Sequence, residues 1–540
     1  MSVISLARWE TDTRSQFGWL AAMVCLGVLG KATAETPLAL FVSVAILLVA
    51  LISVRFPWLG LIALFPLSFA LAPAPEAIGL REAAIGALCV AIMVGTVWRL
   101  ARDGALLGQL RRWLWLITAL KLFLALNLWV ALGNAVPVSD WARGLIPFVF
   151  LTLFLPAAIL LDEVPRRLEV LGLAVLGLGL LLVVQVLFVY FAEGLHRPFF
   201  YRLIAGEYVS SPPPADPKEP GDILGPYYFR VTTRLAQSTD ALLPLTLATA
   251  FVVSVMARER VWRACAFGIA CLAAASILAT YTRSMLLCGL LGMVGFGIVL
   301  LALNRQHFLR AVGTGAALVI VSIGVVFAIN LDPVWTNRTL QLYYSLGLDR
   351  YLGPVFEWMQ QAWQHAVAPF QGGPTIEPPS LDPAIFASDV NVLTRLEEYR
   401  IAWARFLEQP WTGAGLGIRH EITFETSTGE QLVQQVGYVH NWIFYFLMVS
   451  GVFGTLLYAA ILFGPVATFG TGLARARMLL TGVDRDRTVM VFSVIATGVL
   501  VLAAYGLFFA VFRLISFNLV LAASIGTCVA YGTWLKRVRS

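Results

Sequence analysis

The chain has 540 residues, of which 59% are hydrophobic and only 13% charged, with a formal net charge of +7 and a mean hydropathy of +0.81. A soluble domain is closer to a quarter charged, so a water-soluble enzyme of this length is excluded. The 38 Lys and Arg residues are scattered over many short segments, so the positive charge marks topology and calls for no nucleic acid partner.

Apolar runs of about twenty residues, each long enough to cross a ~30 Å hydrocarbon core, recur along the chain and predict an all-α polytopic membrane protein with about fourteen transmembrane helices. In chain order they fall at 16–35, 37–54, 57–73, 82–99, 113–133, 144–162, 168–192, 239–257, 262–281, 285–303, 309–330, 439–466, 489–511 and 514–534. The first lacks a small-residue cleavage site and runs at once into further apolar sequence, so it reads as an uncleaved anchor. With the N-terminus inside, the basic residues alternate as the positive-inside rule requires. Cytoplasmic connections hold Arg8 and Arg14, Arg55, Arg99 to Arg112, Arg166 and Arg167, Arg258 to Arg263, Arg305 and Arg310, and Arg475 to Arg487, and the tail adds Lys536 to Arg539. The short outside connections hold single cations, Lys31, Arg81, Arg143, Arg283 and Arg513. Both termini are thus expected in the cytoplasm. All six cysteines lie within predicted spans without CxxC spacing and read as packing residues. Lys121, inside the span 113–133, is expected to snorkel toward the cytoplasmic surface.

Five segments follow: N-terminal transmembrane helices (1–192), an outside Pro-rich loop (193–238), transmembrane helices with a Thr-Arg-Ser turn (239–330), a large outside helical loop (331–438) and C-terminal transmembrane helices (439–540). The run Ser211-Pro212-Pro213-Pro214-Ala215-Asp216-Pro217 is expected to be extended. A connection as long as 331–438 is the first place to look for chemistry. Within it Val392, Leu396, Tyr399, Trp403 and Leu407 repeat at helical spacing; Arg395 and Arg400 flank that stripe, while Glu397, Glu398 and Arg405 point away. Arg395 and Glu398, three apart, can also pair as a solvated ion pair. Pro410 ends the helix, and Gly413-Ala414-Gly415-Leu416-Gly417 reads as a flexible connection rather than a dinucleotide loop, since no strand precedes it.

Three outside features can carry chemistry: Arg283 in the turn Thr280-Tyr281-Thr282-Arg283-Ser284, Arg395 with Arg400, and His440-Asn441 where the chain re-enters the membrane. Arginine stays charged and grips phosphate oxygens through two hydrogen bonds. Histidine, titrating near ~6.5, can accept a proton from a sugar hydroxyl. Together they suit displacement of a lipid diphosphate by an alcohol at headgroup depth. No DxD or HExxH arrangement occurs on the outside face, and no metal or other cofactor is expected.

These residues resemble a family. His440-Asn441, nine residues, then Gly451-Val452-Phe453-Gly454 reproduces the H-[NSQ]-x9-G-x-x-[GTY] pattern of bacterial O-antigen ligases. Arg395-Leu396-Glu397-Glu398-Tyr399 followed by Pro410-Trp411-Thr412-Gly413-Ala414-Gly415 is similar to that family's Arg-Leu-x-x-Trp and Pro-Leu-x-Gly-x-Gly stretches, with Tyr399 in the Trp place, and Thr282-Arg283-Ser284 resembles its Thr-Arg-Ser turn. The likeness covers about 230–470 and extends to the polymerases of the same superfamily. It implies a GT-C-like fold, a glycan donor linked to undecaprenyl diphosphate, and lipid A–core or a second lipid-linked glycan as acceptor. By position His440 would be the base, Arg283, Arg395 and Arg400 would bind the diphosphate, and Asn441, Tyr399, Arg230 and Arg234 would support them. Around Arg230 to Arg234 the Gly and Pro-Asn frequent in the family are missing. A lipid-linked glycan transporter is the alternative from another class; the chain differs from that pattern in gathering its polar groups in one outside loop and in lacking a clear internal repeat.

Overall fold

Within hydrocarbon every backbone N–H and C=O has to be satisfied by its own segment, so the apolar runs form helices. The computed structural model describes residues 57–71, 80–161, 176–187, 208–210, 231–233, 241–328, 390–425, 431–476 and 479–539, except 185, 281 and 481, together with Val49 and Ser53. The helices are α1 (Pro57–Leu71), α2 (Leu80–Arg102), α3 (Gly104–Gly133), α4 (Val138–Gly144), α5 (Ile146–Leu151), α6 (Phe154–Leu161), α7 (Leu242–Met256), α8 (Arg260–Ala279), α9 (Arg283–Leu303), α10 (Phe308–Ala328), α11 (Val390–Glu408), α12 (Trp442–Ala476), α13 (Gly482–Phe508) and α14 (Ile515–Arg539). Two antiparallel hairpins accompany them: β1 (Tyr208–Ser210) with β2 (Val231–Thr233), and β3 (His420–Glu425) with β4 (Gln431–Val436).

Among the described residues, nine helical stretches are long and apolar enough to cross a membrane, from Ile85–Arg102 to Ile515–Lys536, and α7 is a shorter apolar helix. Fourteen spans are expected over the whole chain. The expected spans 16–35 and 37–54 lie outside the described residues except at Val49 and Ser53, as do the flanks of 168–192, the Pro-rich run and residues 329–389. Side chains such as Val294, Ile298 and Ile320 are more than half exposed on the outer faces of α9 and α10. In water such faces would be unfavourable; against lipid they cost nothing. The chain is a multi-pass membrane protein.

Three elements depart from expectation. The span predicted at 144–162 is divided into α5 and α6, and α4 ends at its first residue, Gly144. Pro147 and Pro156 each lack a donor, and the chain tightens at the second break, where Leu155 N–H bonds Thr152 O at 3.1 Å. Helix α12 runs longer than expected and is broken at Gly451, whose φ of 60° and ψ of −167° are not helical. The large loop, expected to be helical, also contains the β3–β4 hairpin, with His420 opposite Val436 and Glu425 opposite Gln431. Lys121 is exposed and lines an apolar cleft of about 730 Å³ with Val94, Phe148 and Thr152.

An aromatic cluster joins α12 to its neighbours. The Phe446 ring lies tilted at 4.2 Å from Tyr458, 5.1 Å from Phe148 and 5.5 Å from Phe512, and Tyr445 lies 4.9 Å from Phe512. Trp442 donates its indole N–H to Ala503 O at 3.1 Å. The first turns of α12, directly after His440, are thereby fixed against α13 and the 3-10 turn Ala510–Arg513.

Candidate active site

The loop after α11 is the frame on which the site is built. Pro410 to Leu416 threads into the break in α12 and completes its backbone bonding. Ala414 N–H bonds Met448 O at 2.8 Å, Gly415 N–H bonds Val449 O at 3.1 Å, Val452 N–H bonds Pro410 O at 2.9 Å and Phe453 N–H bonds Trp411 O at 3.4 Å. Buried Asn127 of α3 closes the clasp, donating to Val449 O and accepting from Leu416 N–H, each at 2.9 Å. The glycine run is therefore ordered, not the flexible connection expected, because its backbone groups are the partners α12 lacks at its kink. Outside the clasp, Arg419 forks onto Asp140 of α4 with two contacts of 3.1 Å.

The clasp turns α11 so that Glu398 and Ala402 are buried, while Leu396, Trp403 and Leu407 of the expected apolar stripe are exposed. The packed face is thus rotated from the one periodicity suggests, and Glu398, expected to point away, points inward. Glu398 as a whole residue is 1% exposed, and its carboxylate accepts the backbone N–H of His440 at 2.9 Å and stands 2.9 Å from His440 Nδ1. Arg395 does not pair with it; its guanidinium lies 5.5 Å over the ring of Phe509. Tyr399 stacks on Phe444 at 4.9 Å and donates its hydroxyl to His440 O at 3.4 Å, and burial pushes its phenol above the usual value. Asn441 caps α12, its Oδ1 accepting from Ile443 N–H at 2.9 Å and Phe444 N–H at 3.3 Å. Tyr438 meets the imidazole edge-on at 5.2 Å.

Arg400 is placed elsewhere. It lies about 200° round α11 from Glu398, at ~100° per residue, and grips Glu397 with Nη2 to Oε1 of 2.6 Å and Nε to Oε2 of 2.8 Å. That hydrogen bonding holds the Glu397 carboxyl below its ordinary range. Arg283 is the first residue of α9. Helix α9 runs antiparallel to α13: Gly292 lies against Thr497 and Val501, and Asn304 bonds Asp486 at 3.4 Å. Carried back along both helices, this register puts Arg283 level with Phe508 and Phe509, the end of α13 over which Arg395 lies. Arg230 and Arg234 are outside the described residues.

Two residues close to the imidazole are missed by the sequence reading. One is Glu398. The other is Arg513, whose guanidinium lies 5.1 Å over Tyr438 and so within about 10 Å of the His440 ring; its place among the outside cations beside Arg283 was the available signal. His420 is buried behind α11, with neither ring nitrogen bonded among the described residues; burial pulls its pKa down, with Glu398 acting in the opposite direction. Among the described residues no group of three His, Cys, Asp or Glu is placed to hold a metal ion.

The arrangement offers an imidazole held at one nitrogen, with Arg513 within about 10 Å and Arg395 one helical turn from its carboxylate partner Glu398. No curated protein matches the chain. Residues 267–459, which run from α8 to α12 and include Arg283, Arg395, Glu398 and His440, match the family model described as O-Antigen ligase, so this stretch is similar to the O-antigen ligase and polymerase superfamily.

Proposed function

We propose that the protein transfers a glycan from undecaprenyl diphosphate to an acceptor hydroxyl at the periplasmic face of the inner membrane, in the manner of an O-antigen ligase. The observation that carries this reading is the His440 imidazole, bonded at Nδ1 by a buried carboxylate within the O-antigen ligase match. His440 accepts the proton of the acceptor hydroxyl. The oxygen attacks the anomeric carbon as its bond to the diphosphate breaks, and that electron pair leaves on the diphosphate. Arg283 and Arg395 bind the leaving anion. Guanidinium groups are suited to this because the charge they meet grows in the transition state. The basic residues of the opposite connections support an outside position for this end.

Arg283→Ala and Arg395→Ala should each lower transfer by about 10²–10³-fold, the usual effect of losing one preorganised donor to a developing anion. Arg400→Ala should stay within about twofold of the parent, since exposed ion pairs contribute little. Transfer of a labelled lipid-linked glycan by purified protein in nanodiscs measures both. Equal rates for all three variants and the parent would remove the arginine assignment.

Deleting the gene and analysing surface glycans tests the reaction. Free long polymer on its lipid carrier is the expected result for a ligase whose acceptor is lipid A–core. Capped single repeats would assign a polymerase joining two lipid-linked glycans. Lipid-linked units trapped inside the cell would point to transport and overturn the enzyme reading.

A further inference from the structure

We infer that Glu398 is a positioning residue for this chemistry: it holds the His440 imidazole with Nδ1–H toward the carboxylate and leaves Nε2 as the nitrogen that takes the proton. The inference rests on the reading of His440 as the base. It goes beyond it by selecting the working nitrogen and the group that selects it.

The geometry separates two adjacent residues of the same chemistry. Glu397 is in solvent with Arg400 as its partner. Glu398, one position on, is removed from water, where an anion is unfavourable unless it accepts hydrogen bonds. It accepts the main-chain N–H of His440, which fixes the backbone, and faces Nδ1 of the same residue, which fixes the ring. An ionised carboxylate only accepts, so the nitrogen facing it carries the proton. In neutral imidazole the other nitrogen is then the acceptor. Tyr438 at the ring edge and the Tyr399 hydroxyl on the His440 carbonyl complete the restraint. The His440 side chain keeps 28% of its surface open, against 2% for Glu398, so the imidazole can meet a substrate that the carboxylate cannot touch.

Glu398→Gln tests this with little change of shape. The amide has one accepting oxygen for two donors. If that oxygen keeps the backbone N–H, its NH₂ faces Nδ1 and favours the tautomer with Nε2–H, which cannot accept a proton. The expected result in nanodiscs is a fall in kcat of about 10²–10⁴-fold with KM nearly unchanged. Histidine-selective ¹⁵N NMR should show the protonated nitrogen of His440 moving from Nδ1 to Nε2. Glu398→Asp, which keeps the carboxylate, should recover part of kcat. His440→Ala is run alongside, with thermal unfolding in detergent for every variant. Parental kcat in Glu398→Gln beside an inactive His440→Ala overturns this inference and leaves the proposed function standing. Parental kcat in both overturns the proposed function and the inference with it. Equal losses in Glu398→Gln and Glu398→Asp, accompanied by equal losses of thermal stability, would make Glu398 a structural residue and overturn the inference.

Discussion

Replacing His440 by Ala is expected to lower glycan transfer by about 10²–10⁴-fold, the usual share of one general base, while the protein still inserts and assembles. The two effects separate because of where the residue sits. Its ring is partly open and lies outside the aromatic cluster that holds α12, which begins at Trp442. Its backbone N–H, which Ala keeps, still bonds Glu398. The carboxylate loses its ring partner, and a buried acceptor left short of a donor costs about 1–3 kcal/mol, so stability should fall modestly. Turnover per folded molecule, with the folded fraction taken from size-exclusion chromatography in detergent, is therefore the quantity to compare. Parental turnover in His440→Ala would remove the base and the reaction built on it.

The largest effect on folding is expected at the clasp. Gly413 has φ +67°, and a Cβ there would come within 2.6 Å of Gly451 N; a Cβ on Gly451 would come within 2.6 Å of Thr412 N. The opposing atoms are backbone and cannot swing aside. The left-handed conformation alone costs a β-carbon about 1–2 kcal/mol. Displacing the loop costs more, because it would break the four main-chain bonds between Pro410–Gly415 and Met448–Phe453, and each buried backbone group left unsatisfied costs about 1–3 kcal/mol. Gly413→Ala should thus abolish most of the monodisperse protein in fluorescence-detected size exclusion. Gly313→Ala is the control: in α10 an added Cβ meets nothing within 4 Å, and Ala favours a helix over Gly by about 1 kcal/mol. Equal yield and equal thermal midpoint for the two variants would show that the clasp does not hold the fold.

Together the clasp and the dyad give the motifs of the sequence distinct tasks. Gly451 sits where its counterpart Pro410–Gly415 enters the helix break, so these glycines serve backbone contact, while His440 lies one helix end away, against Glu398. Arg395 and Arg400, equivalent from the sequence, are divided by packing: one lies over the ring of Phe509, the other is neutralised by Glu397 in solvent.

The membrane class, most of the long apolar helices and the order of the motifs were legible in the sequence because each depends on local chemistry. A span needs an uninterrupted apolar run, and a histidine can be noted as a proton acceptor wherever it stands. The position of the α11 face, the order in the glycine run, the β3–β4 hairpin and the burial of Glu398 were decided by tertiary structure. Glu398 meets its partner 42 residues away, and Gly413 is fixed by a kink at Gly451. Periodicity turns a charged residue toward water by default. Only a partner brought from a distant segment can repay its burial, and hydropathy along the chain does not register such a partner.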